Sequence, residues 1–442
     1  MRLLSILSFC LFSLITFAQP VKVEVKKGAD GWYLERAGVP YYINGAGGID
    51  NLDEMKYLGA NSVRTWSLDD AEEVLDIAQE NGLTVMMGLW VQHERHGFDY
   101  DNEEAVAEQL EKFTTAVHKL KDHPALLLWG IGNEVDLFYS NTKVWDAVQD
   151  IAAMIHRVDP NHPTVTVTAG LDSTEAYLIR TRVPDLDIYG INTYGDIGKI
   201  KGDIRQFGWE GPYIISEWGP TGHWEVPKTE WGAPIEETST EKAAVYRKRF
   251  NDYIKADREK CIGSYVFLWG QKQETTSTWY GLFTEDGDPT ELLDELYLAW
   301  RGTEPPNRSP KIKDFTIDGK RALDNIYIKA GEKVPAEVEF FDPEGGKVKV
   351  EWFVYSESTA QSAGGDFEES ILPEIGAVKN RKQKTATLVA PEEEGAYRLF
   401  VYVADKDKRT AYANIPFYVV PRLSSDPPAR TVRFKKRELA IE

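Results

Sequence analysis

Cysteine is almost absent, with only Cys10 and Cys261 among 442 residues. Cys10 falls inside an apolar N-terminal stretch, so a cleaved chain keeps one thiol and makes no intrachain disulfide. Each folding unit must then be stabilised by its own apolar core. Long apolar runs are missing too. The stretch from Leu3 to Phe17 follows the charged Arg2 and exits through Thr16-Phe17-Ala18, the pattern of a secretory leader cut after Ala18. It is shorter than the roughly 20 residues a spanning helix needs and has no positive flank after it. No later segment is long enough to span a membrane. Basic residues are in deficit, 51 against 71 acidic, for a formal charge of −20. Such a field repels nucleic acid and anionic polysaccharides at long range and leaves neutral ligands indifferent. A regular Gly-rich phosphate loop is lacking, since Asn44-Gly45-Ala46-Gly47-Gly48-Ile49 is too irregular to be one, which argues against an open doubly wound sheet. Metal spacings are lacking as well. His93-Glu94-Arg95-His96, with Asp99 beyond, does not have the one-face spacing of the zinc helix motif, and Asp286-Gly287-Asp288 reads as a tight turn rather than an EF-hand loop. Neither a metal nor a cofactor is expected.

What is present is a rhythm. From residue 40 to 301 short apolar runs alternate with amphipathic stretches, as parallel strands alternate with helices. Eight strands are expected: Tyr41–Asn44, Ser62–Trp66, Thr84–Trp90, Ala125–Gly130, Thr164–Thr168, Asp187–Asn192, Tyr213–Ser216 and Ser264–Trp269. Between them, Val106, Leu110, Phe113, Val117 and Leu120 make one helical stripe, and Val144, Val148, Ile151, Ile155 and Val158 another. Thr238 and Glu241 have the spacing of a capping box. Eight such units close most simply as a (β/α)8 TIM barrel, with Val21 to Val39 as a hairpin under its floor. At Thr303–Pro310 the composition turns proline-rich, and beyond it the apolar period becomes two, as at Val348, Val350, Trp352 and Val354. About seven short strands there indicate an immunoglobulin-like β-sandwich without a disulfide. The expected organisation is a leader over 1–18, the barrel with its hairpin over 19–302, a linker over 303–310, the sandwich over 311–421 and a basic tail over 422–442. The stretch Ser356 to Lys384 is longer than a normal sandwich loop, long enough to reach the barrel.

The chemistry is signalled by two glutamates. The apolar run Leu126–Trp129 leads through Gly130-Ile131-Gly132-Asn133 to Glu134, and Tyr213-Ile214-Ile215-Ser216 leads to Glu217-Trp218-Gly219. Both sit where a buried strand runs out, at the C-terminal rim on which barrel catalytic groups collect. Hydrolysis of a glycosidic bond needs one carboxylic acid for the leaving oxygen and one carboxylate facing the anomeric carbon. Strands four and seven lie across the mouth from each other, so Glu134 is the candidate acid/base and Glu217 the candidate nucleophile. A charged Glu217 would raise the pKa of Glu134 and keep it protonated. Taken alone, either glutamate could be a helix N-terminal partner; taken together, flanked alike by Trp and Gly, they point to a two-carboxylate site.

Asn-Glu ending strand four, a second Glu ending strand seven, Arg64 ending strand two, Tyr194 after strand six and Trp269 ending strand eight resemble the retaining (β/α)8 glycoside hydrolases of clan A. The resemblance covers the whole barrel. It implies that Asn133 binds the sugar 2-hydroxyl, that Arg64 and Tyr194 hold Glu217, and that Trp269 floors the subsite at the cleaved bond. The bland alternatives are a rim salt bridge, a helix cap, a loop anchor and a core ring. Family-two galactosidases and glucuronidases carry large β-sandwiches before the barrel, so that family is similar only in its catalytic core. The barrel-then-sandwich order and the segment Gly88–Tyr100 look more like the Bacteroidetes endo-β-1,3-glucanases of glycoside hydrolase family 158. In that segment His93, His96 and Phe98 are candidate subsite residues, as are Trp66, Trp90 and Trp218 at strand ends and Trp224 and Trp279 in rim loops. Trp231 could wall the cleft or bury its own loop.

The implied partner is a β-linked glycan, with β-1,3-glucan first and mannan, galactan or xylan, or transfer to another glycan instead of water, as variants of the same machinery. A glycan-binding protein without catalysis is the rival of another class. Endo or exo action, periplasm or cell surface, and oligomeric state are left open by the sequence. Expression with export, followed by intact-mass measurement, should give a mature chain starting at Gln19; a chain retaining residues 1–18 would mean that the leader is an anchor.

Overall fold

The computed structural model describes residues 20–360 and 365–422. The leader and the tail beyond residue 422 lie outside these residues.

The described chain opens with β1 (Val23–Gly28), β2 (Gly31–Arg36) and β3 (Val39–Tyr41), an antiparallel sheet rather than the two-stranded hairpin expected. The third strand forms because Val39–Tyr41 pairs back onto Leu34–Arg36 before the chain turns into the barrel. Val23 and Leu34 share a core with Ile43, Val165, Ile188 and Ile214. Backbone bonds from Val23 to Asn161 and from Trp32 to Glu259 tie the sheet to residues just before two barrel strands. The sheet therefore plugs the N-terminal end of the barrel.

The barrel strands are β4 (Ile43–Gly47), β5 (Ser62–Arg64), β6 (Thr84–Leu89), β7 (Leu126–Ile131), β8 (Thr164–Ala169), β9 (Ile188–Asn192), β10 (Tyr213–Trp218) and β11 (Cys261–Val266). All pair in parallel and the ring closes between β11 and β4. Their side chains are buried on both faces, which is why they read as continuous apolar runs rather than alternating ones. Among the described residues eight α-helices surround them, α1 (Leu52–Leu58), α2 (Ala71–Glu80), α3 (Glu103–Leu120), α4 (Val144–Val158), α5 (Ser173–Arg182), α6 (Ile200–Gln206), α7 (Ser239–Arg249) and α8 (Glu291–Arg301). The stripes of α3 and α4 face the strands, and Thr238 and Glu241 form the expected capping box on α7. The eighth strand is displaced from Ser264–Trp269. It runs from Cys261 to Val266; beyond it the amides of Phe267 and Trp269 still bond to the last residues of β10 and β4, Trp218 and Gly47, but Leu268 between them bonds to the Tyr280 carbonyl in the following loop, so the regular ladder stops.

After the linker come β12 (Lys311–Ile317), β13 (Ile326–Lys329), β14 (Lys333–Phe341), β15 (Lys349–Ser356), β16 (Val378–Lys379), β17 (Thr385–Val389), β18 (Gly395–Ala404) and β19 (Thr410–Val420). They form two four-stranded sheets, in the orders β12-β14-β17-β16 and β13-β19-β18-β15. The period of two is visible in β14, whose residues alternate between exposed and buried. Trp352, Leu388, Leu399, Val401 and Phe417 fill the space between the sheets. No helix of the described residues is long and apolar enough to cross a membrane.

The sandwich is docked on the barrel through buried polar groups. Glu236, in the loop after β10, accepts from Lys242 Nζ at 2.6 Å, from Thr276 and Thr278 in the loop after β11 at 2.6 and 2.8 Å, and from Asn414 of β19 at 2.6 Å. Arg398 of β18 donates to Asn414, to the Pro234 carbonyl and to Glu357. Trp231 packs on Tyr327 and Tyr418 of the sandwich, so it joins the two units instead of walling a cleft. Removing one member of a buried ion pair leaves the other charge uncompensated. Glu236→Ala should therefore destabilise the protein by about 3–5 kcal/mol, read by chemical unfolding; a loss below 1 kcal/mol would mean that Lys242 finds other compensation.

Candidate active site

Four strand ends converge on one guanidinium. Arg64, the last residue of β5, is 1% exposed. Its Nη1 donates to Glu217 Oε1 at 2.9 Å, to the Ser216 carbonyl at 2.7 Å and to Asn192 Oδ1 at 3.3 Å, and its Nη2 donates to Asn133 Oδ1 at 2.7 Å. Glu217 lies within β10 with its side chain turned to the mouth, while the next residue, Trp218, turns outward by the alternation of a strand. The carboxylate of Glu217 accepts two further bonds, from Trp66 Nε1 at 2.8 Å and from the Tyr194 hydroxyl at 3.1 Å. Burial, followed by the charge of Glu217, pushes the Tyr194 hydroxyl well above its ordinary range, so it stays a donor. Gly47 makes room for Trp66, because a Cβ at position 47 would meet the indole at 2.8 Å.

Glu134 stands three residues beyond β7, on a turn. Gly132 has φ 75° and Glu134 itself φ 51°, a left-handed conformation that a non-glycine residue adopts only when its surroundings hold it there. The hold is visible: the Glu134 amide donates to the Val167 carbonyl at 2.9 Å, and Asn192 Nδ2 donates to Glu134 Oε1 at 2.9 Å. Burial first, and the charge of Glu217 second, raise the Glu134 carboxyl to about 8. One carboxyl thus keeps its proton at neutral pH, while the other lies among cationic and neutral donors. That asymmetry is what an acid/base and nucleophile pair requires.

The other residues predicted from the sequence separate into two groups. Arg64, Tyr194 and Trp66 bond to Glu217 directly, and Asn133 reaches the pair through Arg64 and Asn192. Trp90, His93 and His96 form a column of nearly parallel rings, with centroids 4.9 and 5.2 Å apart. His93 is buried, takes a bond from Arg95 Nε on Nδ1 and faces the Asn133 carbonyl. Burial and the Arg95 charge lower its pKa to about 4, so it is neutral. Glu94 is taken up by Ser140 and Asn141, which ties two rim loops. Trp224 is exposed and meets the edge of Tyr194.

Three tryptophans and Phe98 are placed otherwise than expected. Trp218 is buried against Tyr246 and Phe250 in the helical layer. Trp279 is buried with its Nε1 bonded to the Thr221 carbonyl, supporting the cleft from beneath. Trp269 does not floor the site: it lies three residues past β11, buried on Phe283 and bonded to the Asp50 carbonyl. The ring beside the site is Phe267, which packs with Trp66, Tyr194 and Tyr280. Phe98 packs on Tyr100 and the barrel core rather than standing free.

Two residues were missed. Asn192, at the end of β9, donates to both Asn133 and Glu134 and accepts from Arg64 and Ser216, so it links Glu134 to the guanidinium that holds Glu217. Its signal was the same as that of Asn133, an amide closing an apolar strand. Asp136 accepts twice from the Ala169 amide at 3.1 Å, and burial raises it to about 7. Its charge adds to the forces that keep Glu134 protonated. Among the described residues no group of three or more His, Cys, Asp or Glu could hold a metal ion.

The closed eight-strand parallel barrel is a TIM barrel, with Glu134 and Glu217 together at its C-terminal rim. Residues 49–224, which include both glutamates, match the family described as glycosyl hydrolases family 2, TIM barrel domain. A β-glucuronidase of Paenibacillus borealis is 24% identical over 198 residues, 42% of this chain and 31% of that one. One of Sus scrofa is 24% identical over 151 residues, 33% of this chain and 21% of that one. The chain thus spans less than a third of either relative. Among solved structures, a Bifidobacterium dentium β-glucuronidase complexed with coumarin-3-O-glucuronide has a TM-score of 0.48 at 20% identity, covering 64% of this chain and 49% of that one. One from Ruminococcus gnavus has a TM-score of 0.48 at 16% identity, covering 63% and 52%. The similarity to family 2 lies in the barrel.

Between an ordinary carboxyl value of 4.5 and about 8, folded Glu134 keeps a proton that an unfolded chain gives up. The native state binds more protons in that window, so this residue lowers stability as pH rises through it. Glu134→Gln cannot ionise. Its melting temperature should gain on the wild type between about pH 5 and pH 8; a constant difference across that range would contradict the raised pKa.

Proposed function

We propose that this protein is a retaining glycoside hydrolase acting on a neutral β-linked glycan, with β-1,3-glucan the first substrate to try. The observation that carries the proposal is the hydrogen-bonded set in which Arg64, Asn192 and Asn133 hold a proton-bearing Glu134 and a triply bonded Glu217 at one rim. Glu217 attacks the anomeric carbon as the bond to the leaving oxygen breaks, and Glu134 gives that oxygen its proton. Glu134 then takes a proton from water, whose oxygen attacks the same carbon and releases Glu217. Asn133 accepts from Arg64 and Asn192 on its Oδ1, which leaves Nδ2 as its donor toward a sugar hydroxyl.

A neutral sugar is favoured over the uronides that the relatives' names suggest. A uronic carboxylate needs a cation, and four cations at this rim are already committed: Arg64 to Glu217, Arg95 to Asp366, Lys272 to Glu274, and Arg249 to Gly219 and Thr221. The segment Gly88–Tyr100 supports the choice of β-1,3-glucan, an endo-acting enzyme being the form that its resemblance implies. The leader supports export to the periplasm or the cell surface.

The mature protein should release oligosaccharides from a β-1,3-glucan such as laminarin, tested beside mannan, xylan, galactan and a glucuronide by chromatography. The basic limb of kcat/KM should lie near pH 8, where Glu134 loses its proton. Glu217→Gln should abolish turnover. Glu134→Ala should lose about 10²–10⁴-fold on the polysaccharide and much less on an aryl glycoside whose leaving group needs no proton. Full hydrolysis by Glu217→Gln would remove it as the nucleophile. Retention on a glycan in an affinity gel without product would move the reading to a binding protein.

A further inference from the structure

The long sandwich loop after β15 is fastened to the barrel on both sides of one exposed aromatic ring. Asp366 receives Arg95 Nη1 at 2.9 Å and lies 3.4 Å from His96 Nε2, both in the rim loop after β6. The Gly365 carbonyl accepts from Lys272 Nζ at 2.8 Å, and Glu368 accepts from the Thr275 amide at 2.9 Å, both in the rim loop after β11. Between these anchors Phe367 is 89% exposed. In the barrel order β11-β4-β5-β6, a bridge from the rim of β11 to the rim of β6 passes over β4 and β5. Their own rim loops are short, running only from Gly48 to Asn51 and from Thr65 to Asp70 before the next helix. This is the side of the mouth on which Trp66 reaches Glu217. The anchors also connect inward: Arg95 bonds His93, whose ring stacks between Trp90 and His96 and faces Asn133.

We propose that the sandwich completes the glycan-binding cleft, with Phe367 as an aromatic platform for a glycosyl unit removed from the bond being cleaved. The inference rests on the glycoside hydrolase reading above and adds to it a subsite supplied by the second unit. An apolar ring left in water gains by covering the apolar face of a sugar. A ring whose flanking backbone is already pinned at 365, 366 and 368 loses little further freedom when it does so. The anchors are ionic or involve backbone groups, so they hold the loop without covering the ring. The occupant is the same neutral glycan chain that enters the catalytic site. The side of the mouth over β4 and β5 is then a wall with a stacking surface.

The test compares the full mature protein with Phe367→Ala and Phe367→Trp on β-1,3-gluco-oligosaccharides of increasing length and on an aryl glycoside. At 89% exposure the substitution removes no core contact, and equal melting temperatures check this. Phe367→Ala should lose about 3- to 10-fold in kcat/KM on the longer chains, mainly through KM, and nothing on the aryl glycoside; Phe367→Trp should retain the wild-type dependence on length. Equal losses at every length, or none at any, would overturn the subsite while leaving the hydrolase reading intact. If the wild type cleaves nothing, the same variants are compared by retention in laminarin-containing gels. Weaker retention of Phe367→Ala would then uphold the platform on a binding protein, and unchanged retention or no retention by the wild type would overturn it.

Discussion

The buried guanidinium of Arg64 is the constraint around which the mouth of the barrel is organised. A cation at 1% exposure is tolerable only if oxygen atoms replace its water on several sides. Those oxygens come from Glu217, Ser216, Asn192 and Asn133, residues of β10, β9 and the turn after β7. Arg64 therefore sets the relative heights of four strand ends more strictly than apolar packing could. It also divides the two carboxyls. The cation is spent on Glu217, and Glu134 has only the neutral amide of Asn192 as its direct donor. Glu134 keeps its proton because it is buried and has the charge of Glu217 beside it, while the cation is given to Glu217.

Around this centre the second unit acts as part of the site. The loop after β10 carries Trp224 and Glu236, and the loop after β11 carries Thr276, Thr278 and Trp279. The first is held from behind by Asn414 and Arg398 of the sandwich, and the second by its bonds to Glu236 and by Tyr412, which donates to the Thr278 carbonyl. Trp279 in turn underlies the aromatic cluster of Tyr194, Phe267 and Tyr280 that surrounds Glu217. With no disulfide available to staple these loops, buried polar bonds to a rigid sandwich do the holding, and the exposed loop around Phe367 reaches the rim from the same unit.

Much of this was legible in the chain because it follows from local periodicity. Runs such as Thr84–Leu89 and Leu126–Ile131 are apolar throughout, which only strands buried on both faces require, and the change to period two after the linker marks sheets with one wet face. Glu134 and Glu217 stood out as a pair, because two carboxylates ending separate buried runs, each flanked by Trp and Gly, weaken the bland reading that either has alone. The displaced β11 shows where this reasoning stops. Ser264 to Trp269 is apolar enough to be a strand throughout, yet the ladder breaks after Val266, where the Leu268 amide turns to the Tyr280 carbonyl of the following loop instead of a barrel strand. Trp269 thereby passed from the expected floor to the core, and Phe267 took the place beside Trp66.

The sequence by itself determined the kinds of element, their order and the two glutamates, since these depend on neighbours along the chain. Only the tertiary structure decided which side chains share the charge of Arg64, that Asn192 bonds both Glu134 and Arg64, and that Trp218 and Trp279 are buried while Phe367 is exposed at the rim. Those outcomes depend on strand register and on which loops meet across the barrel mouth. Residues 64, 134, 192, 217 and 367 are far apart in sequence, and nothing local to any of them encodes the others.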